Sequence, residues 1–273
     1  DMAGFNLTRN QNTAGFTLNL DHSGDGSIGG NITNGGNMEA RATAWNGNAG
    51  PVTITNAGHV SVNSIDASSQ NMGPGRITVS QAGNFRAASI NNSTYNVAQG
   101  EARFNGNLAG IQTVDTLGNS FVVSGGFVAQ RSDGGGALGK VWIENYGSMQ
   151  VVGSSTASDG RAYSIRAECT GARFGYASSV TITNIGLGGV KLRNAAGTGG
   201  GIFTGAYSAT DNWQANLGSV VISTAGPVEL HHLVTGCTTN GGTGTPASVG
   251  NGTVTAGGDI MIAGDISMHN YWS

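Results

Sequence analysis

Charge is scarce in this chain. Asp, Glu, Lys and Arg together make up 10% of the 273 residues, as 12 basic and 15 acidic side chains with a net charge of −3. No basic stripe is present to attract a phosphate backbone, so a nucleic-acid partner is not expected. Cysteine is scarcer still. Cys169 and Cys237 are too few to staple a disulfide framework. They read as two small thiols, with a bridge as the alternative that would fit secretion. No apolar run reaches membrane-spanning length, so no membrane span is expected. Helical signals are missing as well. Glu, Lys and Gln are few, and no window carries apolar residues at i, i+3, i+4 and i+7.

What is abundant is glycine, 48 residues of it, with Asn, Ser and Thr between Val and Ile. This mixture favours many short strands and many turns. One stretch shows how. In VTITNAGHVSV, from Val52 to Val62, Val52 and Ile54 alternate with Thr53 and Thr55, giving one apolar and one wet face. Asn56, Ala57 and Gly58 supply a tight bend, and Val60 and Val62 resume the apolar face.

The pattern recurs from Ile77, Val141, Val180 and Val220, with looser copies near Phe5, Ile32, Ile111 and Val254. Its corner glycines are expected at Gly15, Gly36, Gly58, Gly83, Gly118, Gly147, Gly186, Gly226 and Gly258. They step by roughly 20 to 25 residues early and roughly 30 to 40 later, a fixed unit with variable insertions. The insertions are polar and Gly-rich, as in SSTASDG from Ser154, NAAGTGGG from Asn194 and the stretch from Thr238. A further apolar segment follows in most units, near Ile65, Ile90, Phe127, Ile165, Ile202 and Leu233.

The expected fold is therefore all-β: one domain over 1–273, a parallel β-helix (β-solenoid) of about nine coils with Gly/Ser/Thr-rich loop insertions. An all-β sandwich pair built from antiparallel hairpins is the rival.

The V-x-I-x-x-x-G-x-V-x-V pattern resembles the β-helical passenger repeats of bacterial autotransporters and filamentous-haemagglutinin-like adhesins. GGDIMIAGDISM, from Gly257 to Met268, is similar to their haemagglutinin-type repeats. The resemblance lies in the style of the repeat and covers most of the chain. It implies secretion, a β-helix, and an extracellular or cell-surface structural role.

Candidate chemistry is thin. The acids Asp66, Asp115, Asp133, Asp159 and Asp211, and Glu39, Glu101, Glu144, Glu168 and Glu229, share no offset from the corners and read as solvated surface groups. A β-helical carbohydrate-active enzyme would need clustered carboxylates, and Glu168 with Asp211, in long loops of consecutive coils, is the pair that would serve it. DHSGDG, from Asp21, starts like a calcium loop, but Ile32 stands where the bidentate Glu belongs, so a plain turn is expected. His231 and His232 are adjacent and should point to opposite faces of a strand, which disfavours a metal site. No nucleophile elbow, phosphate loop or dinucleotide fingerprint appears. Neither cofactor nor catalytic residue is expected, and the chain is read as not an enzyme.

The expected function is structural. An uncapped solenoid exposes unpaired backbone at both ends, and such edges add strands. The chain should stack head-to-tail on copies of itself into a filament, fibre or sheath, with Phe5 and Leu7 at one junction and Tyr271 and Trp272 at the other. A plug formed by Tyr271 and Trp272 over the last coil is the bland reading. Trp142, on the outward parity of its strand, is a lateral contact or a platform for glycan stacking. The alternative function is a monomeric adhesin that binds glycans or a host surface.

Overall fold

The structure is a computed structural model. It describes residues 7–8, 16–20, 30–41, 49–69, 75–93, 101–107, 119–132, 140–157, 159–170, 174–176, 179–208, 214–216, 218–239, 250–268 and 270–272. Among the described residues there is no helix. The chain is all-β and its strands pair in parallel, apart from one short hairpin. This pairing rules out the antiparallel sandwich.

The smaller of the two main sheets has eight strands: Phe16–Asn19, Val52–Thr55, Ile77–Ala82, Ala102–Gly106, Val141–Glu144, Val180–Ile185, Val220–Thr224 and Gly252–Ala256. They pair in sequence order, each with the next pass of the chain. Alternation explains each strand. Val52, Ile54, Ile77, Val79, Val141, Ile143, Val180, Ile182, Val220 and Ile222 are all buried at 0% exposure, while the residues between them stay partly exposed.

After each of these strands the chain turns and enters the larger, 17-stranded sheet. Two rows of apolar residues run through it. One row is Ile32, Val60, Phe85, Phe121, Met149, Val190, Val228 and Ile260. The other is Met38, Ile65, Ile90, Phe127, Ile165, Ile202, Leu233 and Ile266. Parallel pairing places like residues above one another at about 4.8 Å per pass. The further apolar segment expected in most units is this second row. In the middle of the core, Phe85 and Phe121 stack at 5.0 Å, with Phe104 against both and Tyr146 at 5.4 Å from Phe121.

The corners use Asn and Gly for different reasons. Asn56, Asn145 and Asn184 hold the left-handed backbone, with φ of 58°, 62° and 54°. Two of these amides also form a ladder between passes: Asn145 donates to Asn105 Oδ1 at 2.7 Å, and Asn184 donates to Asn145 Oδ1. At Gly83 the constraint is contact, because a β-carbon there would lie 1.7 Å from the Gly58 carbonyl oxygen. Two corner assignments need correction or fall outside view. Gly36 lies inside the strand Ile32–Glu39, and the corner contact of that pass is made by Gly30, whose carbonyl accepts from Gly58 N at 2.9 Å. Gly15 and Gly118 lie outside the described residues.

The repeat count also changes. Nine copies were expected, and the smaller sheet shows eight strands among the described residues. The segment at Ile32 is not a pass of its own; it pairs with Val60–Asp66 in the larger sheet. Likewise Ser120–Val123, at the end of the Ile111 copy, pairs with Phe85–Asn91. Two of the expected loops carry structure. SSTASDG enters the antiparallel hairpin Ser155–Thr156 with Ala162–Tyr163, and the segment from Asn194 is hydrogen-bonded within itself.

Cys169 and Cys237 occupy one row with Ala206 between them. Two strand spacings put their backbones about 9.5 Å apart, beyond the Cα separation of about 7 Å that a disulfide bridges. The register therefore rules out a bridge between them within one chain.

Candidate functional site

The last pass of the chain differs from the interior passes among the described residues. Its strands Gly252–Ala256, Ile260–Ile262, Ile266–Ser267 and Asn270–Trp272 each pair on one side only, with Val220–Thr224, Val228–Leu230, His232–Val234 and Cys237–Thr239. A row of backbone N–H and C=O groups thus faces outward among the described residues. Apolar side chains accompany it. Val228 is 0% exposed, but Ile260, its partner one pass later, is 50% exposed. Leu233 is 2% exposed and Ile266, above it, 58%. Met261 adds a third large apolar side chain at this end.

Tyr271 and Trp272 lie in the last strand, in register with Thr238 and Thr239. Their backbone continues the ladder. At the other end, Leu7 sits in the strand Leu7–Thr8, opposite Met38, and Phe16–Asn19 pairs only with Val52–Thr55. Phe5 lies outside the described residues.

Trp142 projects from the outward face of the smaller sheet. Its row reads Thr17, Thr53, Thr78, Arg103, Trp142, Thr181, Val221 and Thr253. Arg103 Cζ and Lys140 Nζ lie 5.2 and 5.1 Å from the Trp142 ring. Arg103 also donates to Glu144 Oε1 from Nε at 3.2 Å and from Nη2 at 2.7 Å. The ring is therefore already engaged by two cations of this chain, the pairing its quadrupole favours.

A polar cluster that local sequence reading missed lies where the hairpin meets the late passes. Tyr163 is buried and donates from its hydroxyl to Asp159 Oδ2 at 2.6 Å. Burial and then the Asp159 carboxylate push the phenol pKa far up, so it stays a donor. Arg161 pairs with Asp265 Oδ2 at 2.9 Å, joining the hairpin to the last pass. His232 Nδ1 accepts from Asp265 N at 3.1 Å, and its ring is 5.7 Å from Tyr163. Asp159, Arg161 and Tyr163 lie close together in the sequence, but His232 and Asp265 are roughly 70 and 100 positions further on, and the hairpin brings the first three onto the other two.

Two expectations about this region are corrected. The His231 and His232 rings do not face apart; they meet edge-on at 4.3 Å. The strand begins at His232 and His231 occupies the bend before it, so strand alternation does not apply. Glu168 is not a loop acid. It lies in the strand Ile165–Thr170, 2% exposed, and pairs with Arg166 Nε at 3.1 Å. Arg166 in turn donates from Nη1 to the Thr156 carbonyl. A carboxylate so enclosed has no route to a sugar. Asp211 and the Asp21–Gly26 loop lie outside the described residues. Among the described residues, no group of three or more His, Cys, Asp or Glu side chains could hold a metal, and no helix is long and apolar enough to cross a membrane.

The polar cluster acts as a clasp. Asp159, Arg161, Tyr163 and Asp265 satisfy one another and tie the hairpin over a small second core of Ala157, Tyr163, Phe203 and Val234. The open last pass leaves strand edges and large apolar side chains uncovered among the described residues, and it is the candidate interaction site. Comparison with protein-family models, curated proteins and solved structures finds no match.

Proposed function

We propose that the chain is a single β-solenoid of eight coils, an extracellular structural subunit whose open last coil receives a coil of another copy. The observation that carries this reading is the last pass, where unpaired strand edges coincide with Ile260 and Ile266 at about half exposure. A docked coil would pair those edges and bury those side chains, continuing both apolar rows. Two strands with one neighbour each, Leu7–Thr8 and Phe16–Asn19, offer the matching edge at the other end. The extracellular setting rests on the adhesin-like repeat style of Gly257–Met268.

Negative-stain electron microscopy with sedimentation over a concentration series tests the assembly. Unbranched fibres with a subunit repeat of roughly 40 Å, about eight strand spacings, are expected. The double substitution Ile260→Lys and Ile266→Lys should abolish them while leaving the melting profile of the dilute chain nearly unchanged. Monodisperse chains at high concentration would sink the stacking reading and leave the monomeric adhesin in its place.

A further inference from the structure

A groove of about 350 Å³ runs along the outer side of the larger sheet, beneath the loop that follows Leu192. Its volume is in the range of small-molecule sites. Gln150, Lys191 and Glu229 stand in one outward row on three successive passes and form one wall. Arg193 and the loop 194–197 form the other.

The loop is built, and it holds the arginine. Asn194 N donates to Gly199 O at 2.8 Å, Gly197 N to Asn194 O at 2.9 Å, and Thr198 N to Asn194 Oδ1 at 2.9 Å. Gly197 has φ of +70°, and a β-carbon there would come within 2.9 Å of Arg193 Nη2. That nitrogen donates instead to Gly197 O at 3.1 Å. Arg193 Nε is buried and has no partner among the described residues. A buried guanidinium N–H without a partner carries a desolvation cost.

We propose that this groove binds a carboxylated sugar, a uronic-acid type residue of a polysaccharide. Lys191 and Arg193 supply two cations against one carboxylate, Glu229, whose Oε2 lies 3.5 Å from Lys191 Nζ. The surplus positive charge receives the sugar carboxylate, through Lys191 Nζ and the guanidinium donors that Gly197 O leaves free. Gln150 and Glu229 offer a donor and acceptors for ring hydroxyls, and Val152, Ala195 and Ala196 give the C–H face of the ring an apolar floor. A nucleotide fits less well, because no aromatic side chain among the described residues lines the groove to stack a base. Free phosphate fits less well too, since the Gly197 and Thr198 N–H groups are already committed to Asn194. The site is on the flank of the sheet and does not depend on stacking.

Saturation-transfer NMR and calorimetry on the full chain with galacturonate, glucose and inorganic phosphate test the assignment. Galacturonate should bind at least about tenfold more tightly than glucose or phosphate, the scale of one charged hydrogen bond. Arg193→Gln should weaken galacturonate by a similar factor. Lys191→Met, at a half-exposed side chain, should weaken it too and show the same melting profile as the parent. The proposal is overturned if galacturonate fails to bind, if glucose or phosphate binds as well, or if the folded Lys191→Met chain binds unchanged.

Discussion

Leu233 and Ile266 are neighbours in one row, on the same kind of strand and in the same register. Leu233 is 2% exposed and Ile266 58%. Val228 and Ile260 repeat the contrast in the next row, at 0% and 50%. The residue type is unchanged between interior and end, so burial here is conferred by the pass above. In a compact fold of other topology, a surface isoleucine commonly stands alone and needs no explanation. Here two of them fall in line with an apolar core and beside open strand edges, and the core pattern simply continues past the point where cover stops. An interior position loses core packing when truncated, whereas an end position has packing still to gain from an added pass.

Truncation separates the two regions most sharply. Leu233→Ala should cost about 2–5 kcal/mol, the usual range for a filled core site. Ile266→Ala should cost about 1 kcal/mol or less in the dilute chain, because most of its side chain is already wet. Urea unfolding at low concentration measures both. Equal costs would show that the last pass is covered even in the isolated chain. At high concentration the Ile266 variant should fall further behind the parent, since a partner that binds only the folded end stabilises it by mass action.

The interior was largely legible in the sequence and the end was only half so. Val52, Ile54 and their counterparts announce strands by alternation, and the row through Ile65, Ile90, Ile165, Ile202 and Leu233 was visible as a recurring segment. Alternation does not say which sheet a strand joins, however. That is why Ile32–Glu39 read as a separate pass when it is the larger-sheet half of one. Corners were legible as Asn-Gly-rich points, but the division of labour between a left-handed Asn and a contact-limited Gly depends on the neighbouring pass, which no local window contains. The clasp of Asp159, Arg161, Tyr163 and Asp265 was illegible for the same reason. Its turn residues mark a bend, while the direction in which the hairpin projects is set by packing on Phe203 and Val234. Exposure at the last pass follows from register alone, so it became readable only once the rows were known.

The interior has one internal exception. Tyr146 is wholly buried against Phe121, and its hydroxyl has no partner among the described residues. Burial alone pushes its pKa far up, so it stays neutral, and the cost it carries is an unmet hydrogen bond. Tyr146→Phe keeps the ring and removes that cost, and should raise stability by about 1 kcal/mol, read as a shift in the urea midpoint at constant slope. A loss of stability instead would mean that the hydroxyl finds a bound water, and the interior would then be less dry than its rows suggest.

The smallest effect is expected where the interior meets the end, at His232. Burial first, then His231 and Arg161, lower its pKa below the ordinary value, against the opposing pull of Asp265 and Asp159. Nδ1 must also remain unprotonated to accept from Asp265 N. The sign follows directly. The unfolded chain binds a proton near pH 6.5, while the folded chain resists it until lower pH. Stability is therefore full above about pH 6.5, declines as pH falls toward the folded pKa, and is level below it. His232→Asn retains an acceptor for Asp265 N and removes the titration. Urea unfolding of both chains from pH 7.5 to 5 should show the parent losing stability relative to the variant through that window. Parallel curves would mean that His232 titrates alike in both states. The contact with Asp265 would then be too weak to hold the tautomer, and Arg161 would be the side chain that joins the hairpin to the last pass.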